Sequence, residues 1–402
     1  MIKISSHRIP TKRKRTYALI IHYILFACHR MGRLMSPSKR EHTESIKLEK
    51  VKKILVIRLD FIGDMTVSTA GFKAIREFFP HAEITLLAAN LTRNIVEVMP
   101  FFDRIHYFDA PWMVRNGKNK LQTLLAAIQQ IKAEHYDMSI DMRGDFRHNI
   151  LMYLSKPTHR LGFGITGCDF LLTHPIPSGS NHHMVNLCND LIHYLCPESK
   201  KNYTPSLEIT GQDKKKARMI IDHLNNNTFH TQSPIVVIHP GSSWPGRNWR
   251  SERFASVADR LIDKYNAKIL LAGSASDKKI AREIALNMKN DSMIIAGKTS
   301  IREFVGVLEQ SDVFLGLDSG PTHIASATGT KLVALYGPAL PDAVGPCGSD
   351  HIVLSHHKDF PCSPCDQRVC EKSGHSCMDA IQVDEVFDAV SRQIEKIIDN
   401  HS

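Results

Sequence analysis

Two successive sets of alternating strands and helices predict an α/β fold of two doubly wound domains that face each other across a cleft. In each set, apolar runs with the length of buried parallel strands are followed by helical patterns. Between the sets, residues 197–211 contain two prolines and one glycine and show no period, so we place the domain boundary there. The 402 residues are enough for two domains with separate cores.

The first set begins at 53–58, where the run Lys-Ile-Leu-Val-Ile-Arg has the character of a central parallel strand. Residues 119–135 carry leucine and isoleucine at helical spacing, which predicts a helix. The other strands predicted in this set are 83–89, 104–108, 137–141 and 160–163, and the other helices are 66–79, 91–99 and 181–194.

The second set follows the same pattern, with a predicted C-terminal helix at 383–398 that we expect to pack back on the first domain. The predicted segments are a basic extension at 1–50, domains at 51–205 and 206–380, and a terminal segment at 381–402. The strands predicted in the second set are 235–239, 268–272, 293–296, 313–316 and 331–336, and its helices are 212–224 and those beginning at Ser251, Ser276, Ser300 and Pro321.

The formal charge of +10 is concentrated at the N-terminus. Residues 1–53 hold 14 Lys or Arg and 3 Asp or Glu, whereas the remaining 349 residues hold 37 basic and 38 acidic ones. The predicted domains are therefore nearly neutral, and a basic face that would bind nucleic acid is not expected on them.

The N-terminal extension has two interpretations. Residues 12–15, Lys-Arg-Lys-Arg, precede a 12-residue apolar run at 17–28, which is shorter than a transmembrane helix and is not followed by the small residues of a signal-peptide cleavage site. A basic amphipathic segment on an anionic membrane surface fits this pattern. Alternatively, translation begins at Met31 or Met35 and the preceding residues are not part of the protein.

The nine cysteines, an odd number, indicate a reducing compartment rather than a disulfide scaffold. Four of them form the pattern Cys362-x2-Cys365-x4-Cys370-x6-Cys377. The first pair has the spacing of zinc ligands, but the later spacings are irregular, so we leave a structural metal open and predict none.

A polar turn follows the first strand of the chain at residues 59–64. It contains one glycine rather than the GxGxxG of a dinucleotide site. Asp64 lies at the edge of the next helix, where a carboxylate is either a cap, the interpretation that we favour on position alone, or a general base. Arg143 and Arg147 follow another strand, and they either face an anionic substrate or are solvated loop charges.

Two turns of the second domain have the character of phosphate sites. Residues 240–249 offer Ser242, Ser243 and Arg247 as donors, without the GxxxxGK[ST] of a P-loop, and the chain has no Asp-x-Asp pair that would hold a divalent ion. Residues 311–338 form a strand, a small polar turn and a helix, in which Ser319 or Asp318 is expected to cap the helix. The residues of this second turn that would meet a nucleotide are Asp318, Ser319, Gly320 and His323.

Taken together, three motifs resemble those of the glycosyltransferase family 9 heptosyltransferases, which build the inner core of lipopolysaccharide. The resemblance extends over residues 52–398 and includes Arg160-Leu-Gly-Phe163 and the segment from Cys362 to Met378. The first motif, at 58–64, is Arg-Leu-Asp-Phe-Ile-Gly-Asp, and the second, at 239–249, is His-Pro-Gly-Ser-Ser-Trp-Pro-Gly-Arg-Asn-Trp. The third motif, at 318–323, is Asp-Ser-Gly-Pro-Thr-His, and Leu-Tyr-Gly-Pro at 335–338 accompanies it.

The resemblance implies a GT-B fold and an inverting, metal-independent transfer of heptose from ADP-heptose to the lipid A–Kdo acceptor, with no cofactor. It implies a protein peripheral on the cytoplasmic face of the inner membrane. It leaves open a GT-B transferase for another nucleotide sugar, or a relative that binds nucleotide sugars without catalysis. The implied roles are catalytic base for Asp64, donor binding for Ser242, Ser243, Arg247, Ser274, Asp318, Ser319, Gly320 and His323, and acceptor binding for Arg58, Arg143 and Arg147.

In the same family pattern, Gly273 and Ser274 occupy the place where the adenosine is held. An acidic residue common at that place is absent from the matching position of this chain.

Overall fold

A computed structural model describes residues 12–35, 46–113, 120–177, 183–225, 233–348, 350–365, 369–372 and 376–401. The chain divides between Tyr203 and Thr204 into two units, and this division lies within the segment 197–211. Residues 1–11 and 36–45 of the basic extension, residue 119 and residues 181–182 of two predicted helices lie outside the described residues.

The first unit contains a parallel sheet of six strands among the described residues, in the order β3-β2-β1-β4-β5-β6. Its first strand, β1, is an apolar run buried from its second residue onward, because neighbouring strands and helices cover it on all sides. The strands are β1 (Lys53–Arg58), β2 (Glu83–Ala88), β3 (Arg104–Tyr107), β4 (Met138–Asp141), β5 (His159–Phe163) and β6 (His174–Ile176).

The helices of the first unit are α1 (Lys12–Met35), α2 (Ile62–Phe78), α3 (Arg93–Val96), α4 (Lys120–Ala133), α5 (Phe146–Ser155) and α6 (Met184–Leu195). The helix predicted at 91–99 is instead a 3-10 turn, Asn90–Thr92, followed by the single turn of α3. Helix α5 was not predicted, because its buried face includes the polar residues His148 and Asn149 and therefore lacks an apolar period.

The second unit repeats this architecture, with the strand order β12-β11-β10-β7-β8-β9. When its strands are counted from β7 and the sheet is read from the opposite edge, the order is the same as in the first unit. Both units are therefore doubly wound, as predicted. The strands are β7 (Ile235–His239), β8 (Lys268–Leu271), β9 (Met293–Ile294), β10 (Val313–Leu317), β11 (Lys331–Tyr336) and β12 (His351–Ser355), of which β12 was not predicted.

The helices of the second unit are α7 (Gly211–Asn225), α8 (Ser251–Tyr265), α9 (Lys278–Asn287), α10 (Ile301–Leu308), α11 (Gly320–Thr328), α12 (Pro341–Val344), α13 (Cys377–Ala380) and α14 (Val383–His401). The last helix, α14, belongs to the second unit, and the prediction that it packs back on the first domain stays a prediction. Its apolar residues Val386, Ala389, Val390 and Ile394 recur at helical spacing and lie in the core formed by α8 and the second sheet.

At the N-terminus, α1 packs on the first unit through Ala18 and His22, which are almost fully buried. None of the described helices, α1 included, combines the length and apolar character that a membrane span needs.

In sheets with this strand order, the chain reverses its winding direction between the first and the fourth strand, and ligands bind at the carboxyl ends of those two strands. In the first unit these strands are β1 and β4, and in the second unit they are β7 and β10. The predicted site residues that follow these strands are therefore brought to two such reversal points, one in each unit.

Candidate functional site

At the reversal point of the first unit, two carboxylates are in hydrogen-bonding contact, those of Asp60 and Asp64. Asp60 follows β1 and is 2% exposed, whereas Asp64 lies in the first turn of α2 and is half-buried. The helix begins after Phe61 without a side-chain cap, and the backbone N–H of Phe61 donates to Asp60 Oδ1 at 3.1 Å. Asp64 is thus not a capping residue, and the interpretation favoured from its position in the sequence is wrong.

Arg58, the last residue of β1, lies beneath this pair. Its side chain is 1% exposed and forms an ion pair with Asp60 at 3.5 Å. Its guanidinium also donates to the carbonyl oxygens of Met142, at 3.0 Å, and Asp64, at 3.3 Å. Because these groups of its own unit enclose it, Arg58 holds the turn and the carboxylate pair in place, and the implied direct contact with the acceptor does not fit its burial.

Arg143 reaches the pair from the loop after β4, and its Nη1 forms an ion pair with Asp60 Oδ1. The carboxylate of Asp141, at the end of β4, shapes this loop by accepting from the backbone N–H groups of Arg143, at 3.1 Å, and Gly144, at 2.7 Å. Gly144 has a φ of +75°, which a residue with a side chain rarely adopts. Fully buried His148 fixes Asp141 in turn, with 2.8 Å between Nδ1 and Oδ1.

Arg147 lies on the first turn of α5, beside the same loop. Its Nε donates to Asp145 Oδ1 at 2.8 Å, and its guanidinium lies 4.9 Å from the ring centroid of Trp112. Asp145 is the N-cap of α5, and it also accepts from the Arg147 backbone N–H at 2.9 Å. The side chains of Arg143 and Arg147 are 27% and 32% exposed, so both keep a solvent-facing edge.

The pKa values of the two carboxylates of the pair shift in opposite directions. Burial, the negative charge of Asp60 and the hydrogen bond that protonated Asp64 donates to Asp60 together raise the pKa of Asp64 well above its usual range, against the charges of Arg58 and Arg143. Burial alone would also raise the pKa of Asp60, but Arg143 and Arg58 outweigh it and hold that pKa below the usual range. The pair can therefore keep one negative charge on Asp60 while Asp64 gains and loses a proton near neutral pH.

The reversal point of the second unit is built around one ion pair. Arg247 Nη1 lies 2.9 Å from Asp318 Oδ2, so the long turn after β7 meets the residue that follows β10. Asp318 is 5% exposed, and burial raises its pKa while the charge of Arg247 opposes that shift. The guanidinium also lies over the ring of Trp244, with 4.6 Å to the centroid. These contacts hold a half-buried cation at the carboxyl edge of the sheet, where an anion would meet it.

Hydroxyl groups and a helix N-terminus surround this pair. Ser242 is half-buried and its Oγ accepts from the backbone N–H of Trp244 at 3.3 Å, while Ser243 is exposed. Ser319 and Gly320 begin α11, on which His323 is half-buried.

The cap predicted for α11 is absent. The hydroxyl of Ser319 donates to the carbonyl oxygen of Leu317 at 3.2 Å, and the carboxylate of Asp318 forms the ion pair with Arg247. Neither side chain accepts from the first backbone N–H groups of the helix, which therefore keep their partial positive charge for a ligand.

Ser274 lies in the turn after β8. Its neighbour Asp277, which was not predicted as a site residue, forms a capping box with it: Ser274 N and Oγ donate to Asp277 Oδ2 at 2.7 and 2.6 Å. A Cβ atom on Gly241 would lie 2.2 Å from Asp277 Oδ1, so this carboxylate also packs against the turn at residues 240–249. An acidic residue is therefore present beside Gly273 and Ser274 after all. The spacing Ser-x-x-Asp was the signal that could have found it.

The cysteine segment packs against the end of β11. The Cys365 backbone N–H donates to the carbonyl oxygen of Pro338 at 3.0 Å. Burial, together with smaller contributions from Cys370, Cys362 and Cys365 nearby, raises the pKa of the Cys377 thiol to about 11. In the part of the chain that the structure describes, no three His, Cys, Asp or Glu side chains are arranged to hold a metal ion.

Comparisons with known proteins identify the family to which the chain belongs. Residues 124–375 match the family model described as glycosyltransferase family 9 (heptosyltransferase). Lipopolysaccharide core heptosyltransferase OpsX of Haemophilus influenzae is 24% identical over 318 residues, which cover 77% of this chain and 86% of that protein.

Two solved structures are similar over most of the chain. A family 9 glycosyl transferase from Veillonella parvula has a TM-score of 0.72 at 20% identity, covering 86% of this chain and 97% of that one. ADP-heptose lps heptosyltransferase II of E. coli has a TM-score of 0.66 at 19% identity, covering 86% of this chain and 99% of that one. At these identities the likeness shows the fold.

Proposed function

Because the chain belongs to glycosyltransferase family 9, we propose that it moves heptose from ADP-heptose to the lipopolysaccharide inner core, with lipid A–Kdo as the acceptor. The transfer is inverting and metal-independent. The names of the relatives support the donor and the acceptor, since they include a lipopolysaccharide core heptosyltransferase and an ADP-heptose lps heptosyltransferase. A lipid-anchored acceptor would bring the reaction to the cytoplasmic face of the inner membrane, with the protein peripheral there.

The observation that carries the proposal is the Asp60–Asp64 pair at the carboxyl end of β1. An inverting transfer needs one base, which takes the proton of the acceptor hydroxyl as that oxygen attacks the anomeric carbon. Asp64 is half-buried and therefore reachable, and its raised pKa suits proton uptake near neutral pH. Asp60, which Arg143 holds in an ion pair, is a positioning residue in this proposal, because it acts on the acceptor proton only through Asp64.

On the donor side, the ADP leaving group carries increasing negative charge as the glycosidic bond breaks. Arg247, the hydroxyls of Ser242 and Ser243 and the N-terminus of α11 are the groups that would stabilise this charge. Ser319, Gly320 and His323 lie on or beside that helix end and are the proposed neighbours of the nucleotide sugar. A guanidinium can bind a diphosphate bidentately, which supports a site that works without a divalent ion.

On the acceptor side, Arg143 and Arg147 are the proposed contacts, because each keeps an exposed edge beside Asp64 and Asp145. Kdo carries a carboxylate, which matches a guanidinium in charge and in hydrogen-bond geometry. In this proposal Arg58 supports the carboxylate pair from below.

The test is a panel of ADP-, GDP- and UDP-sugars incubated with the protein and a lipid A–Kdo acceptor, with release of the nucleotide followed over time. We expect release of ADP from ADP-heptose only when the acceptor is present. Release of GDP or UDP instead would identify another donor and overturn the proposed one. Binding of ADP-heptose without turnover on any acceptor of the inner core would indicate a relative that has lost catalysis.

A further inference from the structure

The N-terminal helix α1 has one face that packs on its own unit. On that face, His22 Nδ1 accepts a hydrogen bond from the backbone N–H of Cys168 at 2.8 Å, and burial lowers the pKa of His22. The rings of Phe26 and Phe170 meet edge to face, with 5.3 Å between their centroids. Ala18, one turn before His22, is 1% exposed. These contacts place α1 as a packed element of the first unit.

The outer face of α1 is apolar and exposed. We define it by Tyr17, Ile20, Ile21 and Ile24, which recur at i, i+3, i+4 and i+7 and therefore share one side of the helix. Their exposed fractions are 53%, 47%, 37% and 58%. An apolar stripe of this kind on a soluble surface marks an interaction site.

The charge of the helix indicates what covers this stripe. The 24 residues of α1 contain six Lys or Arg and no Asp or Glu, with Lys12–Arg15 in the first turn and Arg30 and Arg33 near the end. A second copy of the chain would bring six further positive charges against these six, which disfavours pairing of α1 with itself. An anionic lipid surface offers both an apolar phase for the stripe and negative charge for the helix ends.

We propose that the outer face of α1 docks the first unit on the surface of an anionic bilayer, with the helix lying in the plane of the lipid headgroups. The lipid surface itself is the occupant of the stripe, and the inner face of the helix stays packed on the protein. The docking surface is separate from the candidate catalytic residues.

The place where α1 packs links this surface to the loop that carries Arg143. The loop under His22 begins at Gly167, whose carbonyl oxygen accepts from Asn149 Nδ2 at 3.1 Å. One residue earlier, Thr166 Oγ1 donates to the Gly144 carbonyl oxygen at 3.0 Å and accepts from the Phe146 backbone N–H at 2.7 Å. If the proposed function also holds, docking through α1 would therefore bring the acceptor loop towards the lipid in which the acceptor is anchored.

The test is co-sedimentation of the full-length protein with vesicles of phosphatidylcholine alone and with vesicles that also contain phosphatidylglycerol. We expect binding to the anionic vesicles that weakens as salt is raised, and little binding to the neutral ones. The double variant I20S/I24S should bind anionic vesicles about tenfold more weakly, because it removes two of the four apolar side chains that form the stripe. Its melting temperature reports whether α1 stays packed.

The matched control is L121S/L125S, which changes two leucines at the same spacing on α4 that are 68% and 49% exposed. This variant should bind as the unchanged protein does. Equal loss in both variants, full binding by I20S/I24S, or no binding of the unchanged protein to anionic vesicles would each overturn the proposal. A dimer that I20S/I24S converts to a monomer in sedimentation velocity would overturn it in favour of a second copy. Vesicle binding needs neither donor nor acceptor, so the proposed function can fail while this inference stands.

Discussion

The two reversal points of the molecule share one topology and carry opposite chemistry. Both lie between the first and fourth strands of a six-stranded parallel sheet with the same strand order. In the first unit, Asp60 and Asp64 lie beside Arg58 and Arg143, so the negative and positive charges nearly cancel. Asp64 can therefore bind or release a proton near neutral pH. In the second unit, the single pair of Arg247 and Asp318 is surrounded by hydroxyls and a helix N-terminus.

This difference shows how one fold serves two tasks. The sheet determines where a ligand approaches, while the residues after the first and fourth strands determine what it meets. A carboxylate pair held by guanidinium groups is suited to moving a proton, whereas a guanidinium beside exposed N–H groups and hydroxyls is suited to holding an anion. Variants at the reversal point of the first unit should therefore lower turnover, whereas variants at that of the second unit should also lower the affinity for the donor.

The largest expected effect is on turnover, from Asp64→Asn. The amide keeps the size of the side chain and can still hydrogen-bond to Asp60, but it cannot take a proton. We expect kcat to fall about 10²–10⁴-fold, the typical contribution of a general base, with donor affinity almost unchanged. Steady-state kinetics and calorimetric titration with ADP-heptose measure the two quantities. A variant that keeps most of its turnover would show that the base lies elsewhere.

Arg247→Ala should affect affinity as well as turnover, because its charge would meet the diphosphate before and during the reaction. Loss of a hydrogen bond to a charged group costs about 1.5–3 kcal/mol, which is roughly tenfold to a hundredfold in the dissociation constant for ADP. The matched control is Arg250→Ala, an exposed arginine of the same turn that pairs with Asp379 and should leave ADP affinity within about twofold. Equal ADP affinity in the two variants would contradict the assignment of Arg247.

Much of the fold could be predicted because its central strands are buried on both faces. The strands β1, β7 and β10 each contain an apolar run of at least four residues, and the observed β1 and β7 have the predicted bounds. An amphipathic pattern shows which face of a helix is buried and not what buries it, so the packing of α14 on α8 and the second sheet was not predicted. Helix α5 was missed as well, because its buried face holds His148 in a hydrogen bond to Asp141.

The site was predictable only as far as local sequence determines it. Asp64 was predicted as a candidate because it follows a strand and lies at the edge of a helix, and because its motif resembles a known family. Asp60 was not identified, since its role depends on Arg143, which is distant in the chain and reaches it only once the sheet has formed. The charges that set the proton affinity of Asp64 are thus a property of the fold rather than of the motif.

A smaller effect should come from Asp60→Asn and appear in the pH profile. Asp64 must be ionised to act as a base, so turnover falls as the pH decreases through its pKa. Removing the charge of Asp60 leaves Arg58 and Arg143 unopposed, which lowers the pKa of Asp64 and should move the acid limb of kcat to lower pH by on the order of one unit. The weaker base should also lower the rate on the high-pH plateau.

The control for this shift is Asp103→Asn, which removes a carboxylate of the same unit that pairs with Arg76 away from the site. That variant should keep the acid limb of the unchanged protein. An acid limb that stays in place in Asp60→Asn would show that Asp60 does not set the proton affinity of the base.

The smallest expected effect tests whether Ser274 binds the nucleotide or only stabilises the turn after β8. Its hydroxyl already donates to Asp277 and contacts Ser276 at 2.7 Å, so Ser274→Ala should cost about 1 kcal/mol of stability through the lost cap. Ser300→Ala removes the equivalent cap of α10, a second capping box in the same unit, and should cost a similar amount. Chemical denaturation measures both losses, and titration with ADP separates the roles. If Ser274 contacts the adenosine, only Ser274→Ala weakens ADP binding, whereas unchanged binding in both variants would show that its hydroxyl serves the turn alone.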